Sequence, residues 1–161
     1  MQPSQASPDI LNALQSIALA IEASRAAPIN PYKFSAYRNA AVSMTGGVYN
    51  KINFDVEDFD TNNNFSSGMY TVPVTGYYHI AWSAGIAITA GNSVAALYKN
   101  GVLYRWGSEV SAGGGSGGSV DELLAAGDVL EIYAYVSSTT ALGVGNSPKK
   151  SYFYGHLIST T

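Results

Sequence analysis

After Tyr32 the sequence consists of short apolar segments separated by turn residues, and within each segment apolar side chains recur at every second position. A period of two places alternate side chains on one face of a β-strand. Many short strands with regular turns predict an all-β sandwich, barrel or jelly roll. The clearest sets are Tyr70, Val72 and Val74; Tyr78, Ile80 and Trp82; Leu130, Ile132, Ala134 and Val136; and Phe153 with Leu157.

Glycine marks several turns of this β-region. Asn100-Gly101 stands between two apolar segments and is the strongest hairpin signal in the sequence, because both residues tolerate the positive φ of a tight turn. The run Gly113–Gly118 lacks the Lys and Ser/Thr that end a phosphate-binding loop, and no helical segment follows it. We interpret this run as a flexible surface loop between two strands.

The positions between the core residues of these strands are also largely aromatic. An ordinary antiparallel sandwich turns the second face of each strand to water, and that face is polar. Side chains with an aromatic ring and a polar tip are instead typical of protein interfaces. We therefore predict that one sheet is covered on its outer side by further copies of the chain. The predicted interface residues are Tyr77, His79, Tyr133, Tyr135, Tyr154 and His156.

Composition supports a covered surface. Charged residues make up 12% of the chain, whereas hydrophobic residues make up 47% and include 12 tyrosines. The usual charged share is about 25%. The net charge is −3, and the sequence has no cluster of Lys and Arg. Nucleic acid and anionic membranes are therefore not expected partners. The absence of cysteine excludes disulfides, thiolate metal sites and a cysteine nucleophile.

Residues 1–33 differ from the rest and predict a helix over Asp9–Ala27, opened by Ser7-Pro8. Polar residues interrupt its apolar stretch, and no basic residue precedes Arg25, so we expect neither a secretory signal nor a membrane span. A helix this short is only marginally stable in water on its own. It either folds back on its own domain, bundles with other copies or docks on a larger partner, and its low charge favours the last two. The apolar stripe Ile10, Leu14, Ile17 and Ile21 has the 4, 3, 4 spacing of a coiled-coil seam.

The order of motifs from residue 34 to the C-terminus resembles the globular head domain of complement component 1q, a module shared with the tumour necrosis factor superfamily. The motifs that carry the resemblance are Phe34-Ser35-Ala36-Tyr37, then Phe54, Asp60 and Phe65, then Gly76-Tyr77-Tyr78-His79-Ile80-Ala81-Trp82, Leu97-Tyr98-Lys99-Asn100-Gly101, Gly127-Asp128 and Phe153-Tyr154-Gly155-His156-Leu157. The resemblance implies a ten-stranded jelly roll over residues 34–161 and a tightly packed homotrimer. No collagen-like stem stands before the head, and a short helix takes its place, which points to bacterial or viral relatives.

Candidate chemistry is sparse. His79 and His156 are the two histidines, and nothing marks a serine as the nucleophile that a catalytic histidine needs, so neither an enzyme nor a cofactor is expected. Oxygen ligands Asp58, Asp60 and Asn62 alternate like the first ligands of a calcium loop. The glycine and glutamate of such a loop are missing, so we favour a solvated acidic loop and keep calcium as a weak candidate.

These observations lead to two functional expectations. The first is a trimeric virion protein, a bacteriophage capsid decoration (cement) protein that residues 1–33 anchor to the major capsid protein or another virion protein. It would be made in the host cytoplasm without a signal peptide and located on the capsid surface. The second is a receptor- or glycan-binding tip of a phage fibre or bacterial surface protein. Its contacts with a host surface glycan would come from the loops at Asn62–Gly68, Gly91-Asn92 and Gly113–Gly118.

Overall fold

The structure is a computed structural model that describes residues 7–26, 31–87, 89–112, 114–142 and 149–161. One helix and thirteen strands occur in this part of the chain. No helix there combines the length and the apolar character that a bilayer crossing requires. The elements are α1 (Pro8–Ala26), β1 (Lys33–Tyr37), β2 (Val42–Met44), β3 (Tyr49–Lys51), β4 (Val56–Asp60), β5 (Phe65–Ser66), β6 (Met69–Thr71), β7 (Gly76–Ile86), β8 (Asn92–Lys99), β9 (Val102–Ser111), β10 (Gly114–Leu124), β11 (Val129–Val136), β12 (Thr140–Leu142) and β13 (Tyr152–Thr160).

The strands form two antiparallel sheets. In the first sheet β10, β7, β13, β1 and β4 lie side by side, and β12 extends it by pairing with both β7 and β2. In the second sheet the order is β5, β6, β11, β8 and β9, with β3 also paired to β11. The strands outnumber the ten expected, and five of them (β2, β3, β5, β6 and β12) have only two or three residues. The predicted all-β sandwich with a short N-terminal helix is confirmed.

The core lies between the sheets and is formed by the alternate residues that the sequence pattern predicts. Tyr78, Ile80 and Trp82 of the first sheet are at most 2% exposed. The inward-facing residues of β11 in the second sheet are fully buried: Leu130, Ile132, Ala134 and Val136. The ring of Phe34 stacks on that of Tyr70 with centroids 4.0 Å apart. Since full burial of one large apolar side chain contributes about 1.5–3 kcal/mol, this double layer is the main stabilising element of the fold.

The predicted hairpin at Asn100-Gly101 is confirmed. Both residues have positive φ, 54° and 77°, and they join β8 to β9 in two residues. The side chain of Asn100 also donates to Asp128 at 2.8 Å and accepts the backbone N–H of Val129 at 2.8 Å. The turn is thereby tied to the start of β11.

The interpretation of the glycine run as a flexible loop is wrong for residues 114–118, and Gly113 lies outside the described residues. Residues 114–118 begin β10, which pairs with β7 along its whole length. A Cβ on Gly117 would lie 2.3 Å from the carbonyl oxygen of Trp82, and a Cβ on Gly118 would lie 2.8 Å from the Trp82 ring. The glycines therefore serve close packing, because only a residue without a side chain fits against the Trp82 backbone and indole.

A buried serine in the same strand joins the two sheets. The side chain of Ser116 is fully buried, accepts the N–H of Ala95 at 2.6 Å and donates to the carbonyl of Ser108 at 2.5 Å. Ser116 belongs to the first sheet, whereas Ala95 and Ser108 belong to the second. The sheets are thus hydrogen-bonded to each other at this side of the sandwich.

We predict that Gly117→Ala lowers the free energy of unfolding by about 1–3 kcal/mol, the usual cost of overpacking, because the added Cβ meets rigid backbone. Gly115→Ala is the matched control: the nearest atom to its added Cβ is 3.6 Å away, so its effect should stay within about 0.5 kcal/mol. Urea denaturation of both variants measures the difference. Equal effects at the two positions would contradict the packing role.

Candidate interaction surface

Four rows of side chains cover the outer side of the first sheet, which we call the first-sheet face. Residues that stand opposite each other in an antiparallel pair point to the same side of a sheet. The register brings together four of the six predicted interface residues: Tyr77, His79, Tyr154 and His156. The rows are Ser159, Tyr77 and Leu123; Lys33, His156, His79 and Asp121; Phe59, Ser35, Tyr154, Ala81 and Ser119; and Tyr37, Tyr152, Ser83 and Gly117.

Large apolar side chains on this face are exposed to solvent. Tyr77 and Leu123 are each 47% exposed, Phe59 is 46% exposed and Tyr154 is 38% exposed. Several large apolar side chains exposed on one face of a sheet, unlike a scattered single residue, indicate an interaction site. Sequence reasoning missed Leu123 and Phe59. The alternation of Ser119, Asp121 and Leu123 would have revealed Leu123 if the preceding glycines had been recognised as strand.

A row of ionisable side chains crosses the middle of the first-sheet face. The Nδ1 atom of His79 lies 2.6 Å from Oδ1 of Asp121, so the ring N–H donates to the carboxylate and Nδ1 carries the proton. The His156 ring lies 5.5 Å from that of His79 between centroids, and Lys33 stands opposite His156. In the described part of the chain His79 has no hydrogen bond to a hydroxyl beside this contact with Asp121.

The environment of His156 favours its neutral form. Burial is the largest cause and lowers the pKa of the imidazole, and nearby His79 and Lys33 lower it further. The carboxylate of Asp121 acts in the opposite direction and does not outweigh them. At neutral pH this part of the face therefore presents an uncharged ring, which costs less to cover than a cation.

Tyr133 and Tyr135 lie on the other side of the sandwich, on the outer face of the second sheet. They form a patch with Tyr49 and Tyr98: the Tyr98 and Tyr133 rings are 4.3 Å apart and the Tyr49 and Tyr135 rings are 5.5 Å apart. Burial raises the pKa of the Tyr49 and Tyr98 hydroxyls, and the neighbouring tyrosines add to the shift. The six residues predicted as one interface therefore belong to two opposite surfaces, because periodicity does not tell which sheet a strand joins.

A cavity of about 320 Å³ adjoins the tyrosine patch. Its walls include Tyr49, Tyr135 and Trp106, whose indole is 58% exposed. At its rim the Asn92 amide donates to the Glu109 carboxylate at 2.8 Å. Sequence reasoning missed Trp106, which alternation along β9 places on the same face as the tyrosines.

Helix α1 packs on no part of the β-sandwich through its described side chains. From residue 8 to residue 23 every side chain is exposed, and the predicted anchor residues Ile10, Leu14, Ile17 and Ile21 are between 48% and 57% exposed. Ser7 caps the helix, since its side-chain oxygen accepts the N–H of Ile10 at 3.4 Å. The alternative in which the helix folds back on its own domain is therefore wrong. The apolar stripe of the helix, which we call its seam, is exposed.

The acidic segment is closed by hydrogen bonds and an ion pair. The Lys149 ammonium lies 2.7 and 2.8 Å from the two oxygens of Asp58. Asp60 accepts the backbone N–H groups of Asn62 at 3.2 Å and Phe65 at 2.7 Å. Among the described residues no three acidic or histidine side chains are grouped to hold a metal ion. Of the calcium candidates Asp58, Asp60 and Asn62, the two carboxylates thus have a lysine and backbone amides as partners.

Solved structures with the same architecture identify the fold, whereas the sequence matches no protein-family model and no curated protein. The globular domain of zebrafish complement 1qA is 21% identical, with a TM-score of 0.59 over 81% of this chain and 99% of its own. Murine APRIL at pH 8.0 is 10% identical, with a TM-score of 0.63 over 79% of this chain and 98% of its own. PRD1 vertex protein P5 is 13% identical, with a TM-score of 0.62 over 82% of this chain and 100% of its own.

These likenesses establish the fold class. The chain has the jelly-roll fold of complement 1q and tumour necrosis factor-like head domains, preceded by a short helix. Each of these solved structures is matched over nearly its full length, so the β-sandwich is a whole domain of this class. The expected fold class is confirmed.

We predict that the free energy of unfolding decreases as the pH falls below 6.5, the ordinary pKa of histidine. Unfolded His156 binds a proton in that range, while the folded residue, with its lowered pKa, stays neutral until a lower pH. His156→Gln removes this contribution, so the variant should lose less stability than the unchanged protein between pH 7.5 and pH 5. Urea denaturation at both pH values measures this, and identical losses would contradict the assignment.

Proposed function

We propose that three copies of the chain assemble through the first-sheet face into a non-enzymatic structural protein of a virion. In its specific form the proposal is a bacteriophage capsid decoration protein that its N-terminal arm, residues 1–33, attaches to the capsid. The observation that carries it is the first-sheet face itself, where the large side chains of Tyr77, Leu123 and Phe59 are exposed on three strands of one sheet. Such a surface is stabilised when another protein surface removes it from water.

The composition of the first-sheet face suits assembly better than chemistry. At its β10 edge Ser119 and Gly117 lie beside Ala81, and these small residues allow close approach of another backbone, while exposed aromatic rings lie on the other strands. The His79–Asp121 pair orients one imidazole without a nucleophile beside it. A threefold arrangement is the one that the resemblance to the complement 1q head domain implies.

Two features support a place in a virion. PRD1 vertex protein P5 has the same fold, so this jelly roll occurs in a vertex protein. Helix α1 supplies an attachment element separate from the sandwich, because its side chains up to residue 23 are exposed. A trimer carries three such elements, so individually weak contacts reinforce one another through effective concentration.

We predict that Tyr154→Arg dissociates the trimer, because three guanidinium groups would be buried without partners. Val48→Arg is the matched control, since Val48 is 48% exposed and lies in the turn before β3. Size-exclusion chromatography with light scattering gives the mass of each variant. A three-chain mass for Val48→Arg and a one-chain mass for Tyr154→Arg are expected, and an unchanged mass for Tyr154→Arg would contradict this interface.

The virion role is tested with purified protein and expanded capsids that lack it. We expect cosedimentation of the protein with the capsids at saturable, symmetric stoichiometry. A trimer that does not bind such capsids but binds host cells or their glycans would contradict the decoration role and favour the alternative.

The alternative is a receptor- or glycan-binding tip of a phage fibre or bacterial surface protein, and one observation favours it. The cavity beside Trp106 combines an exposed indole with the hydrogen-bonded pair Asn92 and Glu109. Aromatic faces with convergent polar groups suit ligands that are apolar on one side and hydroxylated at the edge, as sugars are. Of the loops expected to contact a glycan, Gly91-Asn92 contributes Asn92 to this cavity, whereas residues 114–118 are paired strand.

A further inference from the structure

The exposed seam of α1 forms one continuous line along the helix. With 3.6 residues per turn, Ile10, Leu14, Ile17 and Ile21 fall within about 60° of the helix circumference. Such a line of residues at 4, 3, 4 spacing is the a and d seam of a coiled coil. The rest of the helix surface is mixed, with Leu19 and several polar residues. The polar residues are Asp9, Asn12, Gln15, Ser16 and Glu22.

The residue types in the seam indicate the number of helices. In heptad positions Leu14 and Ile21 are a residues, and Ile10 and Ile17 are d residues. Leucine or isoleucine at a combined with isoleucine at d favours three or four strands over two. The seam therefore matches a bundle of at least three helices better than a two-helix pair.

The positions that flank the seam allow close packing. Ala13 and Ala20 are the g residues, and Leu11 and Ala18 are the e residues. None of them is charged, so these positions supply neither interhelical ion pairs nor charge repulsion. Three small residues at e and g let neighbouring helices approach and extend the apolar contact beyond a and d.

We propose that the seam of α1 packs against the same seam of two other copies in a parallel three-helix bundle. This inference rests on the proposed trimer, which holds three helices at a high effective concentration and so offsets the marginal stability of each. Residues 27–32 separate the helix from β1, and six residues span at most about 22 Å, so each helix end stays within about that distance of its own β1. The bundle commits the seam to assembly, so attachment to a capsid would use the remaining surface of α1.

The absence of cysteine from the chain allows a direct test by cross-linking of single-cysteine variants of the full-length protein. Ile17→Cys introduces a thiol in one d layer of the seam. Ile10→Cys introduces a thiol in the other d layer, nearer the N-terminus. Leu19→Cys is the matched control, because Leu19 is 62% exposed and lies opposite the seam. Treatment with a short bismaleimide should convert both seam variants to covalent dimers at least tenfold faster than the control.

Each result distinguishes the bundle from the trimer on which it rests. Equal cross-linking rates at Ile17→Cys and Leu19→Cys would overturn the bundle, because they indicate random collisions. Cross-linking at Ile17→Cys without cross-linking at Ile10→Cys would overturn the parallel arrangement. Uncross-linked seam variants that still sediment as three chains would overturn the bundle alone and leave the seam for a capsid surface. A one-chain mass for the unchanged protein would instead overturn the proposed function.

Discussion

Strand β7 is hydrogen-bonded along both edges, to β10 on one side and to β13 on the other. This double pairing fixes the register of the first sheet, so the alternation of one strand determines two surfaces. Tyr78, Ile80 and Trp82 enter the core, while the intervening residues build the first-sheet face. A shift of one residue would exchange these sets. The second sheet excludes water from the inner face, and on our account further copies of the chain exclude it from the outer one.

Local patterns predicted much of the fold because they are decided by neighbouring residues. Period-two alternation located the core residues of β7 and β11, since adjacent side chains of a strand point to opposite faces. Asn100-Gly101 located a hairpin, because its positive φ values are a local property of the turn. Ser7 marked the start of α1 by its capping contacts. The outward direction of Tyr77, His79, Tyr154 and His156 followed from the same alternation.

Nonlocal contacts were beyond the reach of such patterns. Glycine is selected both in flexible loops and where backbones pack closely, and the contact of Gly117 with Trp82 separates these cases only in three dimensions. Periodicity also does not assign a strand to a sheet, so Tyr133 was grouped with a surface on the opposite side of the sandwich. Asp58 resembled a metal ligand in sequence because its partner Lys149 is 91 residues away.

We propose that the first-sheet face is stable only when other copies cover it. Sedimentation equilibrium of the unchanged protein over a dilution series to low micromolar concentration tests this, with circular dichroism on the same samples to follow folding. We expect the mass of three chains throughout the series. A folded and stable single chain at the lowest concentration would contradict it.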